Sequence, residues 1–104
     1  FPGCVMEVKP IGVFHMADDK GPDEKVICVP VSDPIWNSLE NLSDINPHLL
    51  KEIEHFFQVY KDLENKQVDV EGWGDVNEAF DIIKECTQRF NDIPNKPEGL
   101  FSIK

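Results

Sequence analysis

Apolar residues recur along this chain first at every second position, then at every third and fourth, then at every second again, and finally at every third and fourth. That succession predicts strands, a helix, a further strand and a second helix. From Cys4 to Met16 the alternation sends Cys4, Met6 and Val8 one way and Glu7 and Lys9 the other, until Pro10 interrupts ahead of Ile11-Gly12-Val13-Phe14. Proline cannot donate to a ladder, so a bulge, break or edge is expected there, as in a strongly bent barrel strand. Lys25 to Val31 is a near-continuous β-branched run, the pattern of a strand covered on both faces. Pro30 and Pro34 end it, and a loop or short helical turn is expected around Ile35 to Leu39.

Asn46-Pro47 opens a helix, with asparagine as cap and proline in the first turn. Leu49, Leu50, Ile53, Phe56, Phe57, Tyr60 and Leu63 form its stripe, and Lys51, Glu52, Glu54, Gln58 and Asp62 its polar side. Lys66 to Trp73 alternates again as a strand. Asp75 caps a second amphipathic helix with Val76, Ala79, Phe80, Ile83 and Phe90 on its face, ended by Asn91-Asp92 and Pro94. Both Trp36 and Trp73 are expected to pack inside. Residues 93–104 are rich in proline and glycine without a period, and read as a tail.

With 104 residues, the chain is one small domain or part of a larger one. Twenty acidic against ten basic residues leave a net charge of −10, which argues against nucleic acid or an anionic membrane as partner. No apolar run approaches the ~18 residues of a membrane span. Three cysteines, Cys4, Cys28 and Cys86, lack CxxC spacing, so reduced thiols in a cytoplasmic protein are expected rather than a disulfide framework. Phe1-Pro2-Gly3, without a leading methionine, reads as a turn that follows something, so a preceding N-terminal part is expected.

The chemistry concentrates in Asp18-Asp19-Lys20-Gly21-Pro22-Asp23-Glu24-Lys25, a connection between the first two strand runs. Either this acidic loop is a solvated surface turn, or a cation sits among its carboxylates. Aspartate is a hard oxygen ligand suited to Mg²⁺ or Ca²⁺, but the spacing is not that of an EF-hand. Lys25 beside the acids points to an anion held jointly by metal and ammonium, as in phosphate chemistry. Tyr60-Lys61 has two readings: a core tyrosine with a helix-end cation, or two donors for a phosphate. His15, His48 and His55 do not form a zinc cluster.

Together, Pro10 to Val13, then Asp18, Asp23 and Lys25, then His55-Phe56-Phe57 leading into Tyr60-Lys61-Asp62-Leu63-Glu64, then Val70 to Trp73, resemble the soluble family I inorganic pyrophosphatases of bacterial type. The resemblance runs from Pro2 to about Phe90. It implies an α+β fold, an OB-like five-stranded β-barrel with two flanking C-terminal helices, of which the first barrel strands are not in this chain. It further implies Mg²⁺-dependent hydrolysis of diphosphate to two phosphates, commonly by a homohexamer. By resemblance Asp18 and Asp23 are metal ligands, Lys25, Tyr60 and Lys61 bind substrate, and Asp19 lies near the site. The family's DxDPxD segment, with the aspartate that activates the water, is absent here and expected upstream of Phe1. This chain is accordingly expected to be the C-terminal portion of such an enzyme, inactive in isolation. The alternatives are a non-catalytic acidic, divalent-cation-binding domain derived from the same fold, and a hydrolase of another phosphoanhydride.

Overall fold

The computed structural model describes residues 2–63 and 67–94, so expectations for 95–104 and for the start of the last strand at Lys66 lie outside the described residues. Its elements are β1 (Val8–Asp18), β2 (Gly21–Pro30), a 3-10 turn (Leu42–Asp44), α1 (Pro47–Leu63), β3 (Asp69–Gly74) and α2 (Val76–Asn91). The strands form one antiparallel sheet in the order β2-β1-β3. This three-stranded sheet and its two helices form part of an OB-like fold.

β1 is the central strand because its residues are apolar toward both faces. Ile11, Val13 and Phe14 are fully buried and Met16 nearly so. The break expected at Pro10 is a bulge: Pro10 opposes Cys28, Gly12 opposes Ile27, and Ile11 between them has no partner. An unpaired residue re-aims its side chain, and Ile11 turns into a cluster with Val29 and Ile45, ringed by Ile27, Leu39, Leu42, Leu49 and Leu50.

Strand limits differ from the sequence reading where turn chemistry outweighs charge. β1 starts at Val8 rather than Cys4 and runs on to Asp18, and β2 begins at Gly21 rather than Lys25. Most of the acidic loop is therefore strand, and only Asp19-Lys20 lie between the paired Asp18 and Gly21. Gly21 takes φ +119°, a conformation L side chains rarely adopt, which is why the chain can reverse so tightly here. β2 is not covered on both faces as its composition suggested. It sits at the margin of the three strands, with Val29 buried but Cys28 exposed, and it ends at Pro30, leaving the exposed Val31 outside it.

Two helices cover the two faces. Asn46 Oδ1 accepts from the His48 backbone N–H at 2.9 Å, and Pro47 opens α1 as expected. α1 lies over Phe14, whose ring stacks on Phe57 at 5.8 Å and tilts against Trp73 at 4.7 Å. Its apolar stripe divides: Leu49, Leu50, Ile53 and Phe57 face inward, whereas Phe56 and Leu63 are 60% and 81% exposed. Positions spaced by three and four describe two adjoining stripes equally well, and only one can face a sheet.

α2 takes the other face. Asp75 Oδ1 accepts from Glu78 N, and Glu78 Oε2 accepts from Asp75 N, both at 3.0 Å, which is a reciprocal capping box. Ala79 is buried, while the expected Phe80 and Ile83 are exposed, so the helix is rolled toward its small residue. The close approach needs Gly74 as well, since a Cβ there would meet Val13 Cγ1 at 2.8 Å and the Glu78 carboxyl. Trp36, expected inside, is 41% exposed in the 31–46 connection, which Lys9 Nζ ties down through Asn37 O at 2.6 Å and Glu40 Oε1 at 2.8 Å. The three cysteines are free and exposed, and no described helix is long and apolar enough to cross a membrane.

Ile11→Ala is expected to lower unfolding free energy by about 2–5 kcal/mol in urea titrations of the whole natural protein. Asp75→Ala, which removes only a cap, is expected to cost about 1 kcal/mol in the same titrations.

Candidate functional site

Strand alternation sorts the acidic stretch. Asp23 opposes Met16, and Asp18 follows Met16 by two residues, so both carboxylates lie diagonally across the hairpin on the α1 face. Lys25 opposes Phe14 on that same face, two residues further along β2. Glu24 points to the other face, where it borders a hollow with Pro22, Glu85, Gln88 and Arg89 of α2. Asp19 is exposed at the turn tip. Splitting the acids between two faces and a tip lowers the like-charge repulsion that one crowded loop would carry.

The Lys25 ammonium lies 2.9 Å from Asp23 Oδ1 and 5.6 Å from the centre of the Phe57 ring. Both charged groups are about a third exposed, so the pair is open to solvent and accessible to an incoming ion. Asp18 Oδ1 accepts from the Lys20 backbone N–H at 2.9 Å, which holds that carboxylate at the turn. Tyr60, one turn beyond Phe56 on α1, stacks on it at 6.0 Å and is 47% exposed. The core reading of Tyr60 is thus wrong, because the helix turns its second stripe outward. Lys61 belongs to α1 by its backbone, and its side chain lies outside the described residues.

Among the described residues no group of three or more histidines, cysteines or carboxylates is close enough to hold a metal. Asp18 and Asp23, two carboxylates on one face of the hairpin, are the hard oxygen type that divalent cations take, and one or two carboxylates suffice where water and phosphate oxygens fill the remaining positions. The three histidines lie apart. His15 Nε2 lies 3.5 Å from Glu78 on the α2 face, His48 pairs with Glu52 at 3.3 Å, and His55 is exposed.

Other hollows lie away from this patch. An apolar cavity of about 300 Å³ between Ile11, Val29, Trp36, Ile45 and Ile53 opens at the Pro30 end of β2, the opposite end from the carboxylates. Cys28 is on its wall, and partial burial there pushes its thiol pKa up. A shallower one of about 320 Å³ follows the outer stripe of α1 along His55, Phe56, Val59, Tyr60 and Leu63. The neighbour of Lys25 that spacing could not reveal is Phe57: its position marks it as core, and nothing local signals that its ring would face a lysine 32 positions earlier.

A family model described as inorganic pyrophosphatase matches residues 1–91. An inorganic pyrophosphatase of Methanosarcina acetivorans is 52% identical over 90 residues, which cover 86% of this chain and 54% of that protein. One from Synechocystis is 40% identical over 90 residues, 86% of this chain and 53% of its own length. Among solved structures, the inorganic pyrophosphatase from Thermus thermophilus superposes with a TM-score of 0.82 at 36% identity, covering 88% of this chain and 54% of that one. The Helicobacter pylori enzyme gives 0.81 at 35% identity, with 86% and 54% covered. This chain spans about half the length of the curated relatives it matches. Sequence and backbone agree along the same stretch, from the bulged strand through the acidic hairpin to the two helices, and the chain belongs to the inorganic pyrophosphatase family.

Proposed function

We propose that these residues form part of the site of an Mg²⁺-dependent inorganic diphosphatase, which hydrolyses diphosphate to two phosphates. The observation that carries the reading is the pairing of Asp23 with Lys25 at 2.9 Å, on the face that also bears Asp18. A hard oxygen ligand for a divalent cation and a donor for a phosphate oxygen thereby share one patch of strand.

Asp18 and Asp23 would hold the cation through carboxylate oxygens. When bound, Mg²⁺ supplies charge against the diphosphate and acidifies a water. Lys25, as a compact ammonium with three donors, offers charge-assisted hydrogen bonds to phosphate oxygens. Tyr60 offers a phenolic O–H from α1, and Lys61 a second ammonium. Donors directed at oxygens that gain charge as the P–O bond breaks lower the barrier more than they lower the energy of bound substrate. The aspartate that takes the proton from the attacking water belongs, by the family pattern, to the DxDPxD segment and is not among these residues. The net charge of −10 suits this chemistry, since acids gather the cation and the cation gathers the anion.

The same reading places the protein in the cytoplasm as a homohexamer. The outward apolar stripe of α1, Phe56, Val59 and Leu63, supports self-association, because contiguous exposed apolar surface marks contact sites. A second reading is favoured by the absence of a three-ligand cluster among the described residues: a non-catalytic domain of this fold that binds divalent cations weakly. Turnover separates the two.

In the whole natural protein, Asp23→Ala is expected to cut phosphate release from diphosphate by about a hundredfold or more, and chelation by EDTA to abolish it until Mg²⁺ is restored. Undiminished release in either case rules the diphosphatase out. Lys25→Met and Tyr60→Phe are each expected to raise KM for diphosphate, Lys25→Met by about tenfold or more because a charged donor is lost. Steady-state kinetics against diphosphate and a nucleoside triphosphate would also show which phosphoanhydride is preferred.

A further inference from the structure

We propose that Phe57 is the positioning residue for the Lys25 ammonium, holding it in the site when Asp23 is engaged by a divalent cation. This rests on the diphosphatase reading and adds a role to it. In the structure the ammonium has two described neighbours of different character, the Asp23 carboxylate at 2.9 Å and the Phe57 ring at 5.6 Å. They respond differently to a metal. When a carboxylate ligates a dication, the dication's repulsion opposes the carboxylate's attraction for the ammonium beside it, so the net pull of that group on the ammonium weakens. The negative face of an aromatic ring is not a ligand for a hard cation such as Mg²⁺, so its attraction for the ammonium persists.

Phe57 can do this only if its ring is fixed, and it is. Phe14 stacks on it at 5.8 Å with planes 21° apart, and Phe56 meets it edge-on at 5.2 Å and 76°. Phe14 is itself held by Trp73 at 4.7 Å. The strand register completes the arrangement: Phe14 and Lys25 are direct cross-strand partners, so one ring on α1 spans an apolar and a cationic neighbour at once. Without it the lysine stem, with four flexible carbons, would sweep through solvent and lose entropy on each binding event. The ring also stands three residues before Tyr60 on the same helix, so it links the position of the ammonium to that of the phenol.

The test uses the whole natural protein with 13C-labelled lysine, in Mg²⁺, and compares Phe57→Leu, Phe57→Tyr, Lys25→Met and the Lys25→Met/Phe57→Leu double variant. A lysine over a ring face has upfield-shifted ε-methylene protons. That shift is expected for Lys25, lost in Phe57→Leu and kept in Phe57→Tyr. KM for diphosphate is expected to rise about two- to fivefold in Phe57→Leu with kcat nearly unchanged, and to be restored in Phe57→Tyr. In the Lys25→Met background, Phe57→Leu should add nothing to KM, whereas a purely structural ring would cost the same in both backgrounds. An unshifted Lys25 in the wild-type protein, or equal KM losses in the leucine and tyrosine variants, overturns the proposal. A wild-type protein that releases no phosphate would sink the diphosphatase reading instead, while the presence or loss of the Lys25 shift still decides whether the ring places the ammonium.

Discussion

Phe14 stands at the middle of the middle strand, fully buried, with Trp73 beside it in the sheet and Phe57 above it on α1. Burying one large side chain is worth about 1.5–3 kcal/mol, and each well-formed aromatic pair adds about 0.5–1.5 kcal/mol. In a domain this small such terms are a sizeable part of net stability. They also set geometry: β3, β1 and α1 meet at one column of rings, and the direction of α1 over the sheet follows from it. Tyr60, stacked on Phe56 at the end of that column, takes its place from the same contacts.

The polar patch is arranged on this apolar frame. Because Lys25 lies opposite Phe14, the cation is within reach of Phe57, and because Asp23 is two residues before Lys25, it shares that face. Alternation then removes Glu24 to the α2 side, near Arg89, and the reversal at Gly21 leaves Asp19 at the tip. An acidic run that would repel itself as a loop is tolerable as a hairpin, since the pleat separates neighbouring charges. The same pleat decides which of them can act on one ion.

Much apolar surface is left open. Val5, Met6, Ile35 and Trp36 are exposed, as are Phe56, Val59 and Leu63 along α1. The 300 Å³ hollow at the Pro30 end of β2 is lined by the residues that surround the Ile11 cluster. Surfaces of this kind are characteristic of contact regions, and the chain spans about half the length of its matched relatives. The carboxylates and Lys25 lie at the far end of β2 from this hollow, so the apolar cavity and the ionic patch are separate features of the sheet.

Local chemistry made much of this legible without coordinates. The Asn46-Pro47 start of α1 and the Asp75 cap of α2 depend on residues within a turn of one another and are found; the proline at position 10 signalled a break, bulge or edge, and pairing with β2 made it a bulge. The residues of the acidic hairpin and the Tyr60-Lys61 pair carried the family resemblance by order and spacing alone. What depended on distant partners was not legible. Whether Phe56 or Phe57 faces the sheet, whether Tyr60 is inside or out, and which way α2 rolls are questions of one helix against one sheet, and a period of 3.6 permits more than one answer. Charge alone suggested a loop from Asp18 to Lys25, yet cross-strand pairing with β1 drew most of it into β2. The chain's own pattern thus determined the elements, their caps and the chemical types in the site; tertiary packing decided which face each residue joins, because only contact between elements distinguishes positions that local periodicity makes equivalent.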